Sequence, residues 1–327
     1  MKPCLLYVGT ADGVFVLHYD GELKLIGHGL AGNAVRGIAI HPQNPVEAYI
    51  ACGLRGWGLH HTHNAGQHFT PVGFADRWVW DVMFHPVHHN TIYVGIEPPM
   101  LFVSPDHGQT FTAFQAIEQL PSRPRWTFFH PPFYAGHIHG LAIHPAQPER
   151  IFAGVEHGAL VYSHDNGHTW HEALAGCDLH RIAINPANPD HIFAGAGEGL
   201  FVSHDAGLSW QPVAELSVHY VHAICFDPDN PATMYVYVYR AEGSPIFRSD
   251  DSGQHWQAIG DGLPPARSAD SLKLHPTQSH VVFYGGDVAQ NRSRLFISLD
   301  RGEHWTPLAG EWPKIWRLQT ASIDQTF

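Results

Sequence analysis

Ser163-His164-Asp165-Asn166-Gly167-His168-Thr169-Trp170 is one of six copies of a turn whose recurrence decides the fold. The pattern is Ser/Thr-x-Asp/Asn-x-Gly-x-x-Trp/Phe. Full copies begin at Ser104, Ser203, Ser249 and Ser298, and a degenerate one begins at Thr62, with Asn64 for the aspartate and Phe69 for the closing ring. Each position has a job: the aspartate or asparagine accepts backbone N–H bonds, glycine permits positive φ, and the aromatic wedges into a neighbouring sheet. In step with it runs an apolar strand ending in a polar residue and proline: VRGIAIHP (35–42), VWDVMFHP (79–86), IHGLAIHP (138–145), LHRIAINP (179–186), VHAICFDP (221–228) and ADSLKLHP (269–276). Several short strands per unit, at a period of about 45 residues, predict one propeller blade per copy.

The turn resembles the Asp-box, or bacterial neuraminidase (BNR) repeat, found in sialidases, xyloglucanases, sortilin-type receptors and photosystem II assembly factors. Six units leave residues 5–26 with only three strands (LLYVGTA, GVFVLHY, LKLIG) and a further strand at Lys314–Thr320. Joined, these make a seventh blade and remove the open edge of the ring. The expected fold is therefore all-β, a single seven-bladed β-propeller over 1–327. Its first blade is split between 3–30 and 312–322, and an insertion occupies 115–136.

Composition narrows the partners. The chain has 28 histidines, more than its 18 lysines and arginines together, and a formal net charge of −12. That balance argues against nucleic acid, whose phosphates need a basic footprint. No apolar stretch approaches the ~20 residues that span a bilayer, so no membrane partner is expected. The start, Met1 to Gly9, does not read as a signal peptide. Cys4, Cys52, Cys177 and Cys225 form no CxxC pair and sit in or beside apolar strands, which reads as buried free thiols in a reducing, cytoplasmic compartment.

Register sorts the histidines. His41, His85, His144 and His275 precede proline where Asn185 and Asp227 substitute, so a side chain capping the turn explains all six. His63, His68, His107, His164, His168, His204, His255 and His304 lie inside the repeated turns on the same face. Five residues before each strand-one turn stand Arg36, Trp80, His139, His180, His222 and Asp270, with Trp316 as the seventh. Alternation puts this position at the head of an axis-facing row, continued toward the mouth by Trp78, His137, Asp178, Tyr220 and Ser268. Three imidazoles on adjacent inner strands can converge on an ion, so His139, His180 and His222 are candidate metal ligands, with His137, His157 or Asp270 in support. Imidazole suits zinc, iron, copper or nickel without choosing among them.

Loops after the second strands add Asp12, Arg55, Glu97, Glu156, Glu198, Arg240, Glu242 and Asp287 to the same face. Glu156, Glu198 and Asp270 are the candidate catalytic acids and bases. The insertion QAIEQLPSRPRWTFFHPPFYAG (115–136) reads as a lid that contacts substrate. With Arg36, Trp80, Tyr220 and Trp316, its Arg123, Arg125 and Trp126 form the candidate substrate-binding set, and Phe128, Phe129, His130 and Tyr134 suit the same lining. The expected function is a metal-dependent enzyme (hydrolase, lyase or oxygenase) acting on a small molecule in the axial pocket. A non-catalytic binding or assembly scaffold with a protein partner is one alternative, and a glycosidase-like hydrolase using Asp81 and Asp270 is another. The Arg-Ile-Pro signature of sialidases fails, the nearest match being Arg181-Ile182-Ala183.

Overall fold

The computed structural model describes residues 2–239, 243–267 and 270–323. Seven antiparallel sheets are arranged as blades around an axis, with no α-helix among the described residues. The innermost strands are Ile315–Ser322, Val35–His41, Trp78–Phe84, His137–His144, Leu179–Asn185, Tyr220–Phe226 and Leu272–His275. The ring closes by pairing Ile315–Ser322 antiparallel to Cys4–Thr10, in register from Cys4 with Ser322 to Val8 with Leu318. This C-terminal strand runs two residues beyond the predicted Thr320. Apolar clusters hold the blades together, such as Leu6 and Val8 against Phe283, Leu295 and Leu318.

The repeated turns are built as their residue types require. In the copy at 163–170, the Asp165 carboxylate accepts from Ser163 Oγ at 2.8 Å, Thr169 N at 2.8 Å and Thr169 Oγ1 at 2.7 Å, while Ser163 Oγ accepts from Gly167 N at 2.8 Å. Gly167 has φ +82°, and Asn166 before it +58°. The closing Trp170 donates its indole N–H to Gly167 O and packs into the core with Ile117, Leu120 and Ile138. The proline turns are capped as expected: ring Nδ1 of His41, His85, His144 and His275, and Oδ1 of Asn185 and Asp227, each accept a backbone N–H two residues on, at 2.8–3.2 Å.

One feature departs from simple alternation. Pairing skips Arg36, Trp80, His180 and His222 in their inner strands, and in the fourth blade it slips just after His139. A bulge thus recurs at one height around the channel, and a bulge re-aims side chains. The row expected to run from Arg36 through Ile38 and Ile40 is broken: Ile38 packs between blades with Leu5, Val35 and Ile50. Below the bulge Asp81 and Arg181 reach the axis instead. There Arg317 joins Asp270 at 2.8 Å and Asp81 at 3.2 Å, with Arg181 and Lys273 at 3.5 and 3.3 Å from Asp270. These groups come from four inner strands and the segment leading into Leu272–His275. They plug the channel with a layer of three cations and two carboxylates that forms the floor under the upper pocket.

Candidate functional site: a histidine–carboxylate cluster on the axis

Above that floor lies a cavity of about 360 Å³, lined by Arg36, Leu54, Phe128, His130, His139, Glu156, His157, Asp178, His180, Tyr220, His222, Asp270 and Trp316. Glu156 is its hub. Glu156 ends the second strand of the fourth blade, Gln147–Glu156, opposite His137 in the ladder. Its Oε2 lies 2.7 Å from His137 Nε2 and 3.9 Å from Nδ1 of both His139 and His180. His137 is clamped from behind by the Trp80 indole, stacked at 3.4 Å and 9°. Trp80 in turn donates to Glu97 Oε2 at 2.9 Å.

The second carboxylate is Asp178. It accepts from His157 N at 3.1 Å, stands 3.4 Å from His180 Nε2, and has its own N–H held by Glu198 at 3.1 Å. His222 packs beside His180 at 4.3 Å between ring centres. Two sets of three groups bring their ligand atoms within 4.8 Å of one another among the described residues: His137, His139 and Glu156; and Glu156, His157 and Asp178. His139, His180 and His222 share the wall but do not form such a set. Two of the three, His139 and His180, instead approach Glu156 Oε2.

Charge states follow from burial and neighbours. Burial pushes the His139 imidazole down to about 3, despite Asp81 and Glu156 nearby. Burial, and then His180, hold His222 well below its ordinary value. Both are neutral at pH 7 with lone pairs to offer. His180 is raised: burial opposes its charge, but Asp178 and Glu156 outweigh it. Burial would raise Glu156, yet the imidazoles around it, His137 first, hold it well below the usual carboxylate range. Glu97, by contrast, is pushed up to about 8 by burial. Nδ1 of His137, Nδ1 of His139, Nε2 of His180 and Oε1 of Glu97 are buried without a hydrogen-bond partner in the protein.

Several expected site residues take other roles. Trp80 is buried behind His137 and does not line the cavity. Glu198 orients Asp178 by its backbone. Asp270 lines the cavity but is neutralised by Arg317, Lys273 and Arg181. The insertion divides: Gln115–Gln119 and Arg123–Arg125 form short 3₁₀ turns, and Trp126 is buried in the core, its indole N–H on Ser122 Oγ at 2.8 Å. Arg123 pairs with Glu118 and stacks on Trp126, and Arg125 points to solvent, so these three do not reach the cavity. An apolar tryptophan in a long loop is better satisfied by the adjacent core than by an open mouth. Only Phe128 and His130 of the insertion line the cavity, while Phe129 and Tyr134 are exposed. Tyr220, Trp316 and His157 stand at the cavity wall. Arg240, Glu242 and Ser268 lie outside the described residues.

Asp178, Glu97 and Leu54 belong to the site although the sequence did not single them out as its ligands or catalytic groups. The signal for Asp178 was its place two residues before His180. A larger recess of about 640 Å³ opens on the opposite face, but its walls are proline turns and backbone, with His41 its one titratable side chain among the described residues.

Comparison with known proteins agrees with the fold. A family model described as Sortilin, neurotensin receptor 3, matches residues 198–326, and one for the BNR/Asp-box repeat matches residues 161–172. No curated protein matches the chain. Among solved structures, an ancestral GH74 enzyme is similar at 18% identity and TM-score 0.61, over 91% of this chain; the chain spans 40% of that protein's length. YCF48 bound to D1 peptide is similar at 18% identity and TM-score 0.55, over 84% of this chain and 82% of that one. A Bacteroides fragilis protein with the provisional description 6-phosphogluconolactonase is similar at 12% identity and TM-score 0.68, over 98% of both chains. At such identities the likeness speaks to the fold alone. Six copies of the repeated turn, a repeat model that matches the copy at 163–170 and a ring of seven blades make the chain similar to the Asp-box (BNR) repeat β-propellers.

Proposed function

We propose that the axial pocket is the active site of a metal-dependent enzyme acting on a small molecule, with a divalent transition metal held by His137, His139 and Glu156. The observation that carries this reading is the convergence of two imidazoles and a carboxylate within 4.8 Å, with buried ring nitrogens that the protein leaves unpartnered. Buried polar atoms without partners are costly, about 1–3 kcal/mol each, and a cation answers several of them at once. The donor set of nitrogens and one oxygen fits zinc, iron, copper or nickel. Bound there, the ion supplies Lewis acidity for polarising a substrate oxygen.

The chain's own groups complete the site. Trp80 and Glu97 fix the orientation of His137 from behind, the supporting-shell role that tunes a ligating imidazole. His180, raised by Asp178 and Glu156, holds a proton on the cavity wall and is the group for proton transfer in a hydrolase or lyase. Phe128 adds apolar surface to the cavity wall. A glycosidase using Asp81 and Asp270 has less support, because both carboxylates are held below their ordinary range by Arg317 and its neighbours.

The test is elemental analysis and titration with Zn²⁺, Ni²⁺, Cu²⁺ and Fe²⁺ on the wild type and on the Glu156→Gln, His139→Ala and His222→Ala variants. About one ion per chain in the wild type and in His222→Ala is expected, with loss of at least ~100-fold in affinity in the other two, since even supporting-shell changes cost 10–100-fold. A wild type that takes up no metal, or a Glu156→Gln variant that binds as well, sinks the reading in favour of a metal-free binding scaffold.

A further inference from the structure

Arg36 is the one lysine or arginine among the described residues lining the axial cavity. Its guanidinium carbon lies over two indole rings, 4.5 Å from the centre of Trp80 and 4.3 Å from that of Trp316. The stem passes close to Gly53, where an added Cβ would stand 3.4 Å from Arg36 Cγ. Yet among the described residues Arg36 has no ion pair within 4.0 Å and no side-chain hydrogen bond. The other arginines on the axis, Arg181 and Arg317, are matched by Asp270 and Asp81.

Stacking answers the faces of a guanidinium and leaves its edge, where five N–H donors lie, without acceptors. An edge held rigid and open to a cavity is the geometry that receives a carboxylate through two parallel hydrogen bonds. The charge count is specific. Arg36 carries the one permanent positive charge of the lining, and the proton on His180 is already answered by Asp178 and Glu156, so a second negative charge on the ligand would meet those carboxylates unopposed. Phe128 and Leu54 add apolar surface, and a cavity of about 360 Å³ lies at the small end of the ~300–1,000 Å³ of small-molecule sites.

We propose that Arg36 binds the carboxylate of a small monoanionic substrate whose apolar or planar body is covered by Phe128 and Leu54. The inference rests on the reading of the axial pocket as a substrate site, and not on which ion is present. Arg36 is then a substrate-positioning group, prepared by Trp80 and Trp316 before the ligand arrives.

The test is calorimetric titration of benzoate, phenyl phosphate and the neutral isostere benzamide into the wild type, Arg36→Lys and Arg36→Met, with the metal content of each measured in parallel. Benzoate is expected to bind the wild type at least tenfold more tightly than benzamide and more tightly than phenyl phosphate. Arg36→Met loses that tenfold advantage, and Arg36→Lys, which keeps the charge but not the fork, falls between and guards against misfolding of the methionine variant. Equal binding of benzoate and benzamide, or unchanged benzoate binding in Arg36→Met, overturns the inference; phenyl phosphate binding most tightly overturns the monoanion. A metal-free wild type that still prefers benzoate through Arg36 sinks the metal and leaves this inference standing. A metal-bearing wild type without the preference does the reverse.

Discussion

His191 gives a test of the scaffold apart from the active site. It lies in the second strand of the fifth blade, Asn188–Ala196, buried between Phe193 and His204, with ring centres at 4.7 and 4.6 Å. Its Nε2 is buried without a hydrogen-bond partner. Burial, and then His204, push the imidazole down to about 4 from 6.5. A depressed folded-state value means the unfolded chain takes up the proton first. Stability is therefore intact above pH 6.5 and is lost as the pH falls toward 4. At pH 4.5 the linkage amounts to roughly 2.5 kcal/mol, and to about 2 kcal/mol after allowing for solvent screening. His191→Phe keeps the ring and removes the titration. Urea melts of the two proteins at pH 7.5, 5.5 and 4.5 isolate the effect, because the histidines that do not touch His191 cancel in the difference. The variant is expected to be at least as stable at pH 7.5 and to gain about 2 kcal/mol on the wild type by pH 4.5. A difference that stays flat with pH, or shrinks toward acid, refutes the reasoning.

Two further perturbations address the channel itself. Arg317→Met leaves Asp81 and Asp270 with only Arg181 and Lys273, and breaking such a buried pair costs about 3–5 kcal/mol; thermal melts should show part of the loss recovered by adding Asp81→Asn. Gly37→Ala sets a Cβ 2.8 Å from Asp81 Cα and 3.1 Å from Trp80 O, backbone that cannot yield, so about 1–3 kcal/mol of stability is lost. Gly73→Ala, which meets Phe111 at an ordinary 3.5 Å, is the tolerated control in the same melts.

How far the sequence could be read differs between turn and site. The turn at 163–170 needs only its own residues: Asp165 and Ser163 bond to amides within six positions, so spacing alone predicts the geometry. The same holds for the capped proline turns, which took four histidines out of the functional count. The lid was harder. Trp126, Arg123 and Arg125 look like a binding surface in sequence, but Trp126 is drawn into the core with Ile117 and Ile138. Asp178 looked like one member of a row and proves to be the partner that raises His180.

The sequence by itself determined the blades, their number, the split first blade and the height at which histidines gather, because these depend on contacts within one repeat or on period-two strands. Only the tertiary structure decided which histidines meet. The bulge at Arg36, Trp80, His180 and His222 depends on pairing with the neighbouring strand. It turns Asp81 and Arg181 onto the axis, while the second strand of the fourth blade brings Glu156 among the imidazoles. A one-residue slip leaves no mark in a hydrophobic pattern, yet it changes which side chain faces the channel. The floor, the carboxylate hub and the stacked Arg36 are therefore properties of seven strands converging, legible once the ring is closed.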